Sequence, residues 1–228
     1  MLATLNEKEK SVKLLNIPRD SYVYINEVGY KTKINHAHAY GGPRATIETV
    51  EDLLDVPVDY YVRMDFDAFM QVVDALGGID IDVPYAFSEQ DSNDYEGAIS
   101  LQAGMQTLNG EEALALARTR KLDNDIERGK RQQEIMKAIL KKAASGASIT
   151  KYGKVIDAIG SNMKTNMTFD EITSLVDYGI SGNLTVETMT IEGNDSYIPN
   201  LSGKNIYYWQ LNEQSVREVQ KTLNNIYK

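Results

Sequence analysis

The residues best suited to chemistry lie between positions 108 and 135, in the stretch LNGEEALALARTRKLDNDIERGKRQQEI. The whole chain carries a formal net charge of -9. Inside this stretch the balance inverts: Arg118, Arg120, Lys121, Arg128, Lys130 and Arg131 face only Asp123, Asp125 and Glu127. A local excess of cations on an anionic chain marks a place for a negative ligand. Forked guanidiniums meet two phosphate oxygens at once, which a point-charge ammonium does not, so the chemistry indicated is phosphate binding. The plain alternative is a solvated, charged helix face.

Two short elements must position these side chains. Asn109 with Glu112 three residues on is a variant of the capping box and starts a helix. Leu114 and Ala117 follow on one face of it. Arg118 and Arg120 then fall at its end, and two residues apart they point to one side only where the backbone is extended. Asp125 can cap the next helix, whose Arg128 and Gln132 are four apart on one face. Arg118, Arg120, Arg128, Gln132 and Asp125 can thus converge. That next helix continues through Ile126, Ile135, Ile139 and Leu140, and Gly146 ends it.

Upstream, residues 1–6 and 12–17 alternate like strands around a polar turn. Pro18 breaks the second strand, which leaves Arg19 just past a strand end, where α/β proteins tend to place ligand groups. An exposed loop arginine is the competing reading. Residues 22–25 read as a strand. His36 and His38 are the only histidines, and with no third ligand of the usual type nearby they read as members of a hydrogen-bonded loop. Gly41-Gly42-Pro43 opens a helix with Pro43 at its first position and Ile47, Val50, Leu53 and Leu54 as its buried stripe. Residues 56–62 (VPVDYYV) read as a strand. Asp65 caps a helix with the stripe Phe69, Val72, Val73 and Leu76. Residues 79–83 form a strand whose Asp80 and Asp82 read as its wet side. This strand–helix–strand run is a βαβ pattern.

Residues 85–97 (YAFSEQDSNDYEG) read as a long surface loop. Residues 150–182 read as helical, with a capping box at Thr168 and Glu171 and a buried face of Ile172, Leu175 and Val176. Residues 184–191 alternate as a strand, 194–203 form a turn-rich loop, and 206–211 make a last strand. Asn212 then caps an amphipathic helix bearing Val216, Val219, Leu223 and Ile226. No linker interrupts the alternation. The expectation is one α/β domain over 1–228, a three-layer α/β/α arrangement with a mixed central sheet flanked by helices.

Composition narrows the function. Apolar residues at 42% and charged residues at 25% are ordinary for a globular chain. With no cysteine, a thiol nucleophile, a disulfide framework and thiolate metal sites are excluded. No run of about 18 apolar residues occurs, so no membrane span is expected within the chain. A duplex needs a broad basic face, whereas the positive charge here is confined to one short patch that suits one or two phosphates.

The segments LNGEEALALARTRK and DNDIERGKRQQE resemble the core signature of the LytR-CpsA-Psr family. So do NIPRDSYV at 16–23, KINHAHAYGG at 33–42 and VDALGGIDIDVP at 73–84, in the family's order. The likeness is detailed up to about residue 140 and general beyond it. It implies a membrane-anchored, extracytoplasmic phosphotransferase of mainly Gram-positive bacteria. Such enzymes move a glycopolymer, such as teichoic acid or capsular polysaccharide, from a polyprenyl pyrophosphate carrier onto peptidoglycan. By that resemblance Arg19, Arg118, Arg120 and Arg128 hold the two phosphates and Gln132 donates a further hydrogen bond. Arg118, Arg120 and Asp125 are the catalytic candidates. Asp125 orients or deprotonates the attacking hydroxyl, with helix capping as its competing role, and Asp20 pins Arg19. The family's Mg²⁺ ligands are acidic residues expected upstream of Met1, as is the membrane anchor. The first strand is therefore expected to lack the motif that precedes it. A polyprenyl tail needs an apolar tunnel, for which the stripes at 47–54, 69–76 and 135–140 are candidate walls and, by default, plain core. Two other classes stay open: a non-catalytic module that binds polyprenyl phosphate or anionic polysaccharide, and an envelope regulator that contacts nucleic acid, which the net charge opposes.

Overall fold

Alternation, glycine turns and capping residues set the local structure of this chain, and a computed structural model describes residues 1–121, 124–145, 163–180, 184–200 and 202–226. Strands β1 (Leu2–Asn6) and β2 (Ser11–Asn16) flank the polar turn. The hairpin of β3 (Tyr22–Ile25) and β4 (Tyr30–Lys33) pairs Tyr22 with Lys33 and Ile25 with Tyr30. Helix α1 (Asn35–Leu54), strand β5 (Val62–Met64) and helix α2 (Phe66–Ala75) follow. Next come β6 (Ile79–Val83), β7 (Phe87–Glu89), β8 (Ile99–Leu101) and β9 (Gly104–Leu108). Helices α3 (Gly110–Arg118) and α4 (Asp125–Ala144) carry the cationic stretch. The remainder is β10 (Met163–Thr165), α5 (Phe169–Ile180), β11 (Thr185–Thr190), β12 (Gly193–Pro199), β13 (Asn205–Leu211) and α6 (Glu213–Asn224).

The fold is α/β with mixed pairing, as expected. β2 lies between β1 and β11, and both its faces are largely covered. The pairs β3–β4, β5–β10, β6–β9, β7–β8 and β12–β13 are antiparallel, while Ser21 makes a parallel bridge to Trp209. The chain divides into two compact units. One comprises Met1–Thr4, Leu15–Tyr61 and Met189–Lys228, and the other Leu5–Leu14 and Val62–Thr188.

In the first unit, Leu15, Val23, Ile25, Leu54, Ile191, Leu211 and Leu223 form the core, with Val50 and Leu53 packed against it. In the second, Val73, Ile79, Ile81, Leu108, Leu116 and Ile135 form the main core with Phe69 and Ile139 against it, and Val72 and Leu76 a smaller one. Members of all three apolar stripes are therefore core residues of their own units.

The structure redraws several elements. The helix expected from Pro43 begins at Asn35 and is broken at Gly42, whose φ of 65° and ψ of -151° no helix allows. Pro43 does open the second stretch; what was unforeseen is the roughly two turns before it. His36 and His38 are thus on a helix rather than in a loop, and His36 Nδ1 is 2.9 Å from Thr32 Oγ1. Residues 57–61 are not a strand. Pro57 has no N–H to offer a ladder, and the Val58 N–H donates to Glu51 Oε1 at 2.9 Å. Pairing shrinks to β5, whose partner is β10, while β6 pairs with β9, so the βαβ pattern does not make neighbours of its two strands.

The surface loop at 85–97 contains β7, which buries Phe87 against β8. The turn-rich 194–203 stretch contains most of β12, whose polar residues hid its alternation. Of residues 150–182, helix covers Phe169–Ile180 and β10 covers Met163–Thr165, while 146–162 lie outside the described residues, Gly146 among them. Helix α4 stops at Ala144, and Ser145 is extended. The Thr168–Glu171 capping box is present: Glu171 N–H donates to Thr168 Oγ1 at 3.3 Å and Thr168 N–H to Glu171 Oε2 at 2.6 Å. Leu175, expected to be buried, is 38% exposed.

Candidate active site

The cationic stretch folds as the junction of α3 and α4 in the second unit. Helix α3 starts as expected, with Asn109 accepting from the Glu112 N–H at 3.0 Å and Glu112 accepting from the Asn109 N–H at 2.9 Å. It packs closely on α2: a Cβ on Gly110 would lie 2.5 Å from the Met70 carbonyl oxygen. Asp74 Oδ1 also accepts the Gly110 N–H at 2.8 Å. The helix ends at Arg118, and Thr119 is extended (φ -56°, ψ 139°), the condition under which Arg118 and Arg120 can face one side.

Helix α4 is capped by Asn124, whose side chain accepts from the N–H groups of Ile126 and Glu127. The cap was assigned one residue late: Asp125 is the first helical residue. Freed from capping, its carboxylate faces the arginines. A single oxygen, Asp125 Oδ1, is 3.3 Å from Arg120 Nε and 3.1 Å from Arg128 Nη2. The negative charge also suits the positive end of α4. Gln132 lies one turn beyond Arg128 and donates from Nε2 to the Ala117 carbonyl at 3.2 Å, which ties α4 back to α3.

Arg118 is held differently. Its guanidinium is 5.0 Å from the centre of the Phe66 ring and 3.8 Å from Asp94 Oδ1. Asp94 lies in the β7–β8 connection, at a left-handed φ of 64°. That connection is itself pinned to α3 through Glu111, which accepts the Ser92 N–H at 3.0 Å and the Ser92 hydroxyl. Lys121 donates to the Ser88 carbonyl of β7.

The structure thus brings Arg120, Asp125 and Arg128 into one cluster, with Gln132 and Arg118 on the same helix pair. Arg19 belongs to the other unit. Its side chain is exposed, and Asp20, expected to pin it, pairs instead with Lys33 Nζ at 3.0 Å.

Sequence reasoning missed Arg131 and Gln133. Arg131 is 8% exposed and donates from Nε to the Leu116 carbonyl at 3.3 Å and from Nη2 to the Thr119 carbonyl at 2.5 Å. A buried cation on the last carbonyls of α3 satisfies groups the helix itself cannot. Gln133 donates to the Leu14 carbonyl of β2 at 2.9 Å. The signal was in the spacing: Arg131 is one turn before Ile135 and two before Ile139, in line with the buried stripe.

Among the described residues no group of three or more histidines or carboxylates lies close enough to hold a metal ion. Asp80 and Asp82 are exposed, as expected of a wet strand face. Asp80 accepts from Thr107 Oγ1 at 2.5 Å and pairs with Lys142 at 3.2 Å, and these contacts, the Thr107 hydrogen bond first, hold its carboxyl below the usual range.

The profile of the LytR_cpsA_psr family matches residues 1–225. The chain belongs to that family. It is 44% identical over 226 residues to the polyisoprenyl-teichoic acid–peptidoglycan teichoic acid transferase TagT of Bacillus subtilis, covering 99% of this chain and 68% of TagT. It is 43% identical over 224 residues to an uncharacterized protein of Staphylococcus aureus, covering 98% of this chain and 53% of that protein. The chain therefore spans between about half and two thirds of these two family members. Among solved structures, the crystal structure of B. subtilis TagV is similar at a TM-score of 0.85 and 37% identity, over 98% of this chain and 86% of TagV. TagT with bound octaprenyl pyrophosphate is similar at a TM-score of 0.75 and 39% identity, over 98% of this chain and 82% of that one. The LytR_cpsA_psr fold thus extends past residue 140, where the sequence motifs thin out.

Proposed function

We propose that this chain is the transfer domain of an extracytoplasmic phosphotransferase that moves a glycopolymer from a polyprenyl pyrophosphate carrier to peptidoglycan. The observation that carries the reading is the Arg120–Asp125–Arg128 cluster at the α3–α4 junction, with Arg118 at the end of the same helix. It belongs to a chain similar to TagT, whose structure holds octaprenyl pyrophosphate. The relatives' teichoic acid makes that polymer the first to test.

The acceptor is a sugar hydroxyl. Its oxygen forms a new bond to the phosphorus that bears the glycopolymer. The bridging P–O bond breaks, polyprenyl phosphate leaves, and the hydroxyl proton goes to a base. Little covalent chemistry is asked of the protein. Its task is to hold charge where it develops on the phosphoryl oxygens and the leaving phosphate. Arg118, Arg120 and Arg128 supply that charge from this unit, Arg19 is proposed to supply more, and Gln132 a hydrogen bond. Asp125 pairs with the Arg120 and Arg128 guanidiniums through Oδ1, and its Oδ2 is the proposed proton acceptor. Mg²⁺ is proposed as a cofactor of the reaction. Anchoring to the outer face of the membrane is likewise a proposal; no described helix is long and apolar enough to cross a membrane.

The test is transfer of a lipid-linked glycan to peptidoglycan in the presence of Mg²⁺. Arg118→Ala and Arg120→Ala are expected to abolish transfer and keep the far-UV circular dichroism of the parent. Full activity in both variants would refute the assignment of the site.

A further inference from the structure

Phe66, the first residue of α2, is a large apolar side chain left 56% exposed. It is not among the described residues that form or flank the cores of its unit. Its place is set by the cap beneath it, where Asp65 accepts the Ala68 N–H at 2.9 Å. Helices α2 and α3 lie antiparallel. The start of α3 meets α2 at Met70 and Asp74, so the end of α3 reaches back to the start of α2. There the Arg118 guanidinium lies over the Phe66 ring, 5.0 Å from its centre. An aromatic residue with no core to fill thus sits against one of the arginines of the site.

The arginines of the helix pair are held by different means. Arg120 and Arg128 pair with the Asp125 carboxylate. The carboxylate beside Arg118 is Asp94, whose side chain is 78% exposed; its Oδ1 is 3.8 Å from Nη2 and already accepts from Gln90 Nε2 at 2.8 Å. A contact that long and that wet fixes little. The ring acts otherwise. Its face carries the negative part of the aromatic quadrupole, which attracts a cation without cancelling its charge and offers no oxygen to compete with a phosphate for the N–H fork. A guanidinium ordered before its ligand arrives also loses less rotamer freedom when a phosphate binds.

We propose that Phe66 is a positioning residue for Arg118, its ring holding the guanidinium in place with its charge uncancelled for a phosphate of the ligand. The proposal rests on the phosphate-binding reading of the α3–α4 junction and deepens it by naming what orders Arg118. The test is isothermal titration of inorganic pyrophosphate, a probe with no tail to touch the ring, against a graded series. Phe66→Tyr and Phe66→Trp keep an aromatic face and should bind as the parent does. Phe66→Leu keeps an apolar side chain without the quadrupole, and its affinity should fall roughly two- to fivefold, as should that of Phe66→Ala. Asp94→Asn should bind no more weakly than the parent. In an Arg118→Ala background, itself a weaker binder than the parent, Phe66→Leu should have no further effect, since the ring acts only through that arginine. Parental affinity in Phe66→Leu would overturn the proposal by showing that any apolar bulk suffices. So would an effect of Phe66→Leu that persists without Arg118, or a larger loss in Asp94→Asn than in Phe66→Leu. Each of these leaves the phosphate site standing. That reading fails separately, if the parent does not bind pyrophosphate or Arg118→Ala binds it as the parent does, and the role of Phe66 falls with it.

Discussion

Asp125 shares one oxygen between two guanidiniums, and this changes what its removal should do. A carboxylate bound to arginines that are proposed to hold a diphosphate competes with that diphosphate. Asp125→Asn removes the charge and keeps a hydrogen-bond acceptor. The partly exposed ion pairing that the variant loses is worth about 1 kcal/mol or less, so pyrophosphate affinity should rise by up to about fivefold while transfer falls. Titration of inorganic pyrophosphate against both proteins checks this, and weaker binding in the variant would show that Asp125 orders the arginines more than it opposes the ligand. The arginines themselves were legible because R-x-R at the end of one helix and R-x-x-x-Q at the start of the next are spacings that two successive helices can bring together. The role of Asp125 was not, since Asn124 and Asp125 are both good caps and the sequence does not say which of two neighbours takes the position. Arg131 escaped for a related reason. A charge reads as solvent-facing unless its register is compared with the apolar stripe beside it.

At the scale of elements, two features hold α3 and α4 in place, and each can be removed singly. Gly110 lets α3 approach α2 so closely that an added methyl would overlap the backbone of Met70, which cannot swing away as a side-chain tip could. Gly110→Ala should cost about 1–3 kcal/mol in urea unfolding and lower transfer as well, because Arg118 and Arg120 ride on the far end of the displaced helix. Unchanged stability would mean that the helices have room to slide. Asn124 accepts two N–H groups at the start of α4, and Asn124→Ala should cost about 1 kcal/mol, while Asp125→Ala, which removes no cap, should cost less. The reverse order would restore Asp125 as the cap. The elements that the sequence mispredicted share a cause. Gly41-Gly42-Pro43 reads as the opening of a helix, and the chain uses it as a kink inside one, while β7 and β12 are rich in polar residues such as serine, aspartate and glutamate, whose polarity reads as loop until a partner strand is in view. Where the cue was local, as at Asp65, Asn109, Thr168 and Asn212, it held.

For the whole molecule, the net charge of -9 is the property that separates phosphotransfer from nucleic-acid regulation. Several of the cations in the central stretch are already engaged by their own protein: Arg120 and Arg128 by Asp125, Arg131 by helix carbonyls, Lys130 by Glu127 at 2.7 Å. What remains is a local positive site in a repulsive field. Such a site suits a compact, doubly charged ligand, whose few contacts would lie within a Debye length of the arginines. It does not hold a duplex, which needs charge along many phosphates. Duplex DNA should therefore give no mobility shift at about 100 mM salt, where non-specific binders that neutralise six to ten phosphates still bind. Binding of farnesyl pyrophosphate, which lacks the condensed counterions of a duplex, should weaken with salt by screening alone and far less steeply than a duplex binder would. A steep slope with DNA and a flat one with pyrophosphate would move the arginines from catalysis to nucleic-acid recognition. A flat slope with both would leave the lipid tail, rather than the cation cluster, as what the protein grips.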